Sequence, residues 1–318
     1  MKAAAVQLNS GADVAANIAA ADRHVRAAAA DGATLIVLPE KWTAMGSAEQ
    51  LRAAAEPLDG PAVSWARETA SELGVDLVAG SFLEHLEGGA GGRRPASRAP
   101  LSQSTGEEKF ANTCVHVSAS GGVRAVYRKL HMFDVAIDGR SYRESDLELP
   151  GEEIVLSETS SGVELGLSIC YDLRFPELFR ILAVRGARVI ALPSAFTLPT
   201  TRDHWETLLR ARAIENQVFV VAANQVGAHP GDHRSGGRSM IVDPWGIVLA
   251  QVPDREGYAV AELDLDGQRE IRARFPALAN RRPAAYRWAE AEETDGEAES
   301  GAADTPAHEP AGRGGSEQ

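Results

Sequence analysis

Cysteine is nearly missing from this chain: among 318 residues only Cys114 and Cys170 occur, each within an apolar run. Two isolated thiols supply neither the disulfide framework of a small secreted domain nor the close paired spacing of a zinc knuckle. Positive charge is also short, with 32 Lys and Arg against 45 Asp and Glu, which disfavours a nucleic-acid partner. No segment approaches the roughly 20 apolar residues of a membrane span, and the first residues show no basic stretch leading into an apolar one. The expectation is a cytoplasmic protein with no membrane partner. No G-x-G-x-x-G or GK[ST] stands between a strand and a helix, so a phosphate-binding loop is set aside.

What remains is a composition of 44% hydrophobic and 24% charged residues, within the range of globular chains and enough for an enzyme-sized core. The formal charge of −13 is uneven. From 289 to 318 there are nine acidic residues and one Arg, so this end carries −8 and the rest only −5. Without aromatic or large aliphatic side chains it cannot bury enough surface to offset ordering entropy, and reads as an acidic disordered tail. A domain over 1–288 is expected before it. Between 84 and 109 the composition turns to Gly, Arg, Ser and Pro and periodicity vanishes, which reads as a long loop insert.

The pattern over the domain is mixed α/β. KAAAVQL, ATLIVLPE and VDLVAGSF read as strands, separated by helical patterns over 13–30 and 61–73. NTCVHVSA and VRAVYRKL, joined through SGG, read as a hairpin. VELGLSIC, ARVIALPS and VFVVAANQ are further strands, with helices over PELFRILAVRG and HWETLLRARAIENQ. SMIVDPWGIVLAQ folds back at Asp243-Pro-Trp-Gly246, whereas His229 and His233 fall in a glycine-rich loop. Antiparallel pairs among βαβ units argue against a plain parallel doubly wound sheet.

Cys170 closes an apolar strand and precedes a helix, where backbone N–H groups and the helix dipole favour a thiolate or an oxyanion. Cys114, mid-strand between Thr113 and Val115, reads as a packing residue. A thiol titrating near ~8.5 needs a base. No histidine stands out by its local setting, and Glu40, closing TLIVLPE, is a carboxylate alternative.

LPEKW, YRKLHMFD and SICYDLRFPEL occur in this order, each closing an apolar strand. Together they resemble the nitrilase, or carbon-nitrogen hydrolase, superfamily, and the likeness extends from about Ala3 to Tyr286. Within it, CYDLRFPEL, LPSAF, HWE-x-L-x-RARAIE and MIVDPWG look most like the Nit branch, which includes deaminated glutathione amidase and omega-amidase. The insert and the tail depart from that pattern.

The resemblance implies a four-layer αββα sandwich, a homodimer or higher homo-oligomer, and a Glu-Lys-Cys triad on Glu40, Lys129 and Cys170. It also implies a fourth polar residue after the lysine, best matched by Glu144. The reaction it implies is hydrolysis of a small amide through a cysteine thioester. In it Glu40 carries protons, while Lys129 and the backbone N–H of Tyr171 hold the oxyanion, with no metal or organic cofactor required. For substrate binding the candidates are Arg174, placed to meet a carboxylate unless it pairs internally with Asp172 or Glu177, and Phe196 and Thr197 just beyond a strand end. Trp205 and Trp245 read as packing residues. Other branches, such as nitrilases, N-carbamoyl amino acid hydrolases and aliphatic amidases, would use the same triad; a non-catalytic scaffold would not need to keep it.

Overall fold

The computed structural model describes residues 1–286 except 87–108, 138 and 232. The acidic tail and nearly all of the insert lie outside the described residues. In chain order the strands are β1 (Lys2–Gln7), β2 (Leu35–Val37), β3 (Asp76–His85), β4 (Phe110–Val117), β5 (Val123–Arg128), β6 (Asp134–Ile137), β7 (Arg140–Arg143) and β8 (Leu156–Glu158). They continue with β9 (Glu164–Leu167), β10 (Val189–Ser194), β11 (Phe219–Asn224), β12 (Val226–His229), β13 (His233–Gly236), β14 (Met240–Val242), β15 (Val248–Gln251) and β16 (Gly257–Glu262). The helices are α1 (Val14–Ala30), α2 (Ala48–Ala53), α3 (Pro61–Leu73), α4 (Pro176–Val184), α5 (Leu198–Thr200), α6 (Glu206–Asn216) and α7 (Leu265–Arg274).

Helix ends follow local chemistry. Asp13 caps α1 by accepting from the N–H of Ala16, an interaction worth about 1 kcal/mol. In α3, Pro61 opens the first turn and Gly74, at φ 65°, closes the last.

Two six-stranded sheets result, in the orders β16-β1-β2-β3-β4-β5 and β15-β14-β11-β10-β9-β8. In each, parallel neighbours joined through helices occupy the centre: β1-β2-β3 in the first, β9-β10-β11 in the second. The strand pleat sorts side chains between layers. Ala3, Ala5, Leu35, Val37 and Cys114 join the core shared with Leu165, Leu167, Val189 and Ala191 of the second sheet. Ala4, Val6, Ile36 and Leu77 face the other way, under Ala21 and Val25 of α1 and Ala62 and Ala66 of α3. On the far side, Leu178, Phe179 and Leu182 of α4 and Leu209 and Ala213 of α6 pack on the second sheet. The stack is therefore α, β, β, α.

The expected hairpin is β4-β5, turning at Gly121 with φ 79°. Several local expectations need correcting. Glu84 and His85 are not loop: they end β3, paired with Ala111 and Phe110. The segment around His229 and His233 is a second hairpin, β12-β13, because His229 and Ser235 are buried and bond to each other at 3.0 Å. Trp205 is fully buried, but Trp245 is 59% exposed at the β14-β15 turn and is no core packing residue. The compact unit ends at Asn280, and residues 281–286, described separately, contain a single 3-10 turn, Pro283–Ala285.

Candidate active site

The topology gathers chain ends before it gathers side chains. β2 and β5 run in the same direction within the first sheet, and Glu40 and Lys129 lie just past their carboxyl ends. Cys170 lies just past β9 in the second sheet. Glu40, leaving the first sheet, is tied to the second: its N–H donates to the Ser194 carbonyl at 3.3 Å and its carbonyl accepts from Gln225 Nε2 at 3.1 Å. Gly80 makes this loop approach possible. At φ 55° a Cβ there would strike the Pro39 carbonyl and come within 2.6 Å of the Trp42 indole.

Lys129 is fully buried, and an unpaired ammonium there would cost several kcal/mol. It donates to Glu40 Oε1 at 2.9 Å and to Glu144 Oε2 at 2.7 Å. Although burial alone would depress its pKa, Glu144, Glu40 and Cys170 together hold it well above the ordinary lysine range. Asn112 Nδ2 adds a second donor to Glu40 Oε1 at 2.9 Å. Glu144 begins the 3-10 turn Glu144–Asp146, and its Oε2 also accepts from the Phe133 N–H at 2.8 Å. Against the cost of burial, Lys129 and Lys41 bring its pKa down to about 2. Glu144, its side chain 15% exposed, is thus an anion joined to the lysine rather than a free surface carboxylate.

Cys170 is 8% exposed and sits at φ 47°, a left-handed conformation that costs a non-glycine residue about 1 kcal/mol or more. Its helix context differs from the sequence expectation. A five-residue 3-10 turn, Cys170–Arg174, intervenes, and α4 starts only at Pro176. Nor does the setting favour a resting thiolate. Burial is the main cause that raises the thiol pKa, the Glu40 charge and its hydrogen bond with the thiol add to it, and Lys129 opposes them. The setting therefore favours the thiol form beside the Glu40 carboxylate.

Asp172 holds this turn, and sequence reasoning gave it no such part. Its fully buried carboxylate accepts from the Ile169 N–H at 2.8 Å, Tyr127 Oη at 2.6 Å and His131 Nδ1 at 2.7 Å. His131 stacks on Phe175 at 3.6 Å, and Arg212 Nε donates to the Leu173 carbonyl at 3.0 Å. With Asp172 so engaged, Arg174 makes no internal ion pair among the described residues. Its guanidinium lies 5.9 Å from the Tyr171 ring centre and 5.6 Å from that of Phe196, and reaches His204 Nδ1 at 3.3 Å.

A cavity of about 620 Å³ opens over Glu40, Glu144 and Cys170. Tyr171, Arg174, Phe196 and Thr197 line it, so each substrate-binding candidate reaches one space with Glu40 and Cys170. Phe196 is fixed by the Asn224 side chain, which accepts from its N–H at 2.9 Å, and by Trp205, 4.8 Å away ring to ring. Arg52, Lys109, Arg143 and Arg234 also reach the walls, together with Asp146, which lies 3.9 Å from Arg143. Among the described residues, no group of His, Cys, Asp and Glu side chains is placed to hold a metal ion.

A buried thiol and a Glu40–Lys129 ion pair thus share one site in an αββα frame. The chain belongs to the carbon-nitrogen hydrolase family, whose model matches residues 2–273. It is 36% identical over 282 residues to a Synechocystis protein named deaminated glutathione amidase, covering 88% of this chain and 97% of that one. Among solved structures it resembles Nit3 of Saccharomyces cerevisiae, a member of branch 10 of the nitrilase superfamily. That likeness has 28% identity and a TM-score of 0.73, over 90% of this chain and 97% of the other. It also resembles an amidase from Nesterenkonia sp. AN1, seen with an acetamide moiety covalently added at its active-site cysteine. Here the identity is 25% and the TM-score 0.67, over 89% and 94% of the two chains. No helix among the described residues is long and apolar enough to cross a membrane.

Proposed function

We propose that this protein hydrolyses a small omega-amide, of the deaminated glutathione or keto-acid monoamide kind, through a thioester on Cys170. The observation that carries the reading is the 2.9 Å contact between Lys129 Nζ and Glu40 Oε1, in one cavity wall with the Cys170 thiol. Glu40 takes the thiol proton as sulfur attacks the amide carbonyl carbon. Two of the three Lys129 N–H bonds are taken by Glu40 and Glu144, leaving one for the developing oxyanion, with the backbone N–H of Tyr171 as second donor. The tetrahedral intermediate expels ammonia or an amine, which leaves with the proton from Glu40. Glu40 then removes a proton from water as it attacks the thioester, and returns it to the departing Cys170 sulfur.

The substrate class follows from the walls. A guanidinium stacked between Tyr171 and Phe196 is placed to take a substrate carboxylate, and the rim cations favour an acid with more than one negative charge. Relatives named deaminated glutathione amidase support the same class. A panel of deaminated glutathione, keto-acid omega-monoamides, N-carbamoyl amino acids, aliphatic amides and nitriles tests it. The highest kcat/KM is expected on an anionic omega-amide, and turnover confined to neutral amides or nitriles would refute the assignment.

The site is proposed to act in a cytoplasmic homo-oligomer. Val184 of α4, Ile214 of α6, Trp245, Ile247 and Phe275 are each 47% or more exposed, and such side chains suit an interface. Light scattering that returns the monomer mass at micromolar concentration would count against assembly.

A further inference from the structure

Beyond the triad and Glu144 lies a second ion pair for which the mechanism has no use. Lys41 follows Glu40 directly and is itself held in the left-handed region at φ 49°. Its N–H donates to Ser81 Oγ at 3.0 Å, and its ammonium lies 3.1 Å from Glu144 Oε1 and 2.6 Å from Glu148 Oε1. The Glu148 side chain is only 1% exposed, and its other oxygen, Oε2, has no hydrogen-bond partner among the described residues. Its backbone N–H donates to the Glu144 carbonyl at 2.8 Å, so the two acids sit one turn apart with Lys41 between them.

Charges therefore alternate outward from the thiol: Glu40, Lys129, Glu144, Lys41, Glu148. Each contact along the chain is 2.6 to 3.1 Å. Without Lys41, both oxygens of Glu144 would turn their charge on Lys129, weakening its pull on the oxyanion and raising the negative field at the sulfur. We propose that Lys41 and Glu148 are positioning residues for hydrolysis: Lys41 shields the nucleophile from the charge of Glu144, and Glu148 limits that shielding. The inference rests on the functional reading above.

The groups facing each member are known. Glu40, Lys129 and Glu144 face Cys170; Glu144, Glu148, Glu40 and Lys129 face Lys41; Lys41, Glu144 and Lys129 face Glu148. Burial raises the Glu148 carboxyl to about 7 despite Lys41. It is consequently ionised throughout the higher range in which the Cys170 thiol titrates.

The test follows alkylation of Cys170 by iodoacetamide against pH, read on the Cys170 peptide, together with kcat and KM on the best amide of the panel. Lys41→Met should move the half-maximal pH of alkylation up by about one unit and lower kcat about tenfold, with KM changed less than about threefold. Glu148→Gln should move the same midpoint down, and the double variant should fall between the two. A purely structural role would move both single variants in one direction. That outcome, or no movement in either, overturns the proposal, and Glu148→Gln alone decides it should Lys41→Met fail to fold. A Cys170→Ala protein that still hydrolyses the amide would instead refute the functional reading. The opposed midpoint shifts, measured on the thiol itself, would stand apart from that result.

Discussion

Cys114 and Cys170 sit in the same core cluster, 0% and 8% exposed, and burial pushes both thiols upward. Burial is the cause that raises Cys114, on strand β4. Around Cys170 the causes multiply: a carboxylate accepts its proton, an ammonium opposes the desolvation, and a left-handed backbone fixes the sulfur. The difference between an inert and a reactive thiol in this fold is therefore not exposure. It is whether charged partners from the other sheet converge on the sulfur, which they do only past the carboxyl ends of β2, β5 and β9.

The comparison breaks most sharply at the nucleophile. Cys170→Ala is expected to lower turnover to below about one ten-thousandth of the parent rate, because no other group of the site supplies a nucleophile. Its circular dichroism and thermal midpoint should stay close to those of the parent. Substantial residual hydrolysis by pure, folded Cys170→Ala would remove the thioester route.

The next largest effect concerns the ammonium. Lys129→Met keeps most of the side-chain volume and removes the charge that meets the oxyanion. Losing one such donor costs about 3 to 4 kcal/mol, ~10² to 10³ in kcat, with a smaller change in KM. His131→Gln should cost much less, since His131 serves to hold Asp172 and is given no proton to carry. Steady-state kinetics with the reverse ranking, His131→Gln inactive and Lys129→Met near the parent, would replace the carboxylate with an imidazole base.

The strands were legible where apolar alternation is strong, as in β1, β3 and β10, and Glu40, Lys129 and Cys170 stood out because each closes such a run. Lys41, Glu148, Asn112 and Asp172 were not. Lys41 reaches Glu144 across 103 positions, and Asn112 reaches Glu40 across 72, so their roles exist only once the sheets are assembled. A signal was nonetheless present for two of them. Asn112 lies on a fully buried strand and Asp172 follows Cys170 at a fully buried position; a polar residue in either setting must find a partner. The β12-β13 hairpin was hidden for a different reason, since its glycines and histidines lack strand propensity and its pairing rests on buried polar contacts.

The smallest effect is expected at Cys114, and it sharpens the comparison from the inert side. Its sulfur fills space in the core cluster between the sheets. Cys114→Ala should leave kcat and KM within about twofold of the parent and cost about 1 kcal/mol of stability for the small void, a fall of about 2 to 4 °C in Tm. Cys114→Ser, almost the same size, should destabilise more, because its hydroxyl enters an apolar space; an unsatisfied buried group of that kind costs about 1 to 3 kcal/mol. Native protein treated with iodoacetamide should be modified at Cys170 well before Cys114, with the order lost in denaturant. Calorimetry that finds Cys114→Ser as stable as Cys114→Ala would reveal a polar partner near Cys114. Modification of Cys114 first in the folded protein would show that its burial is not what keeps it inert.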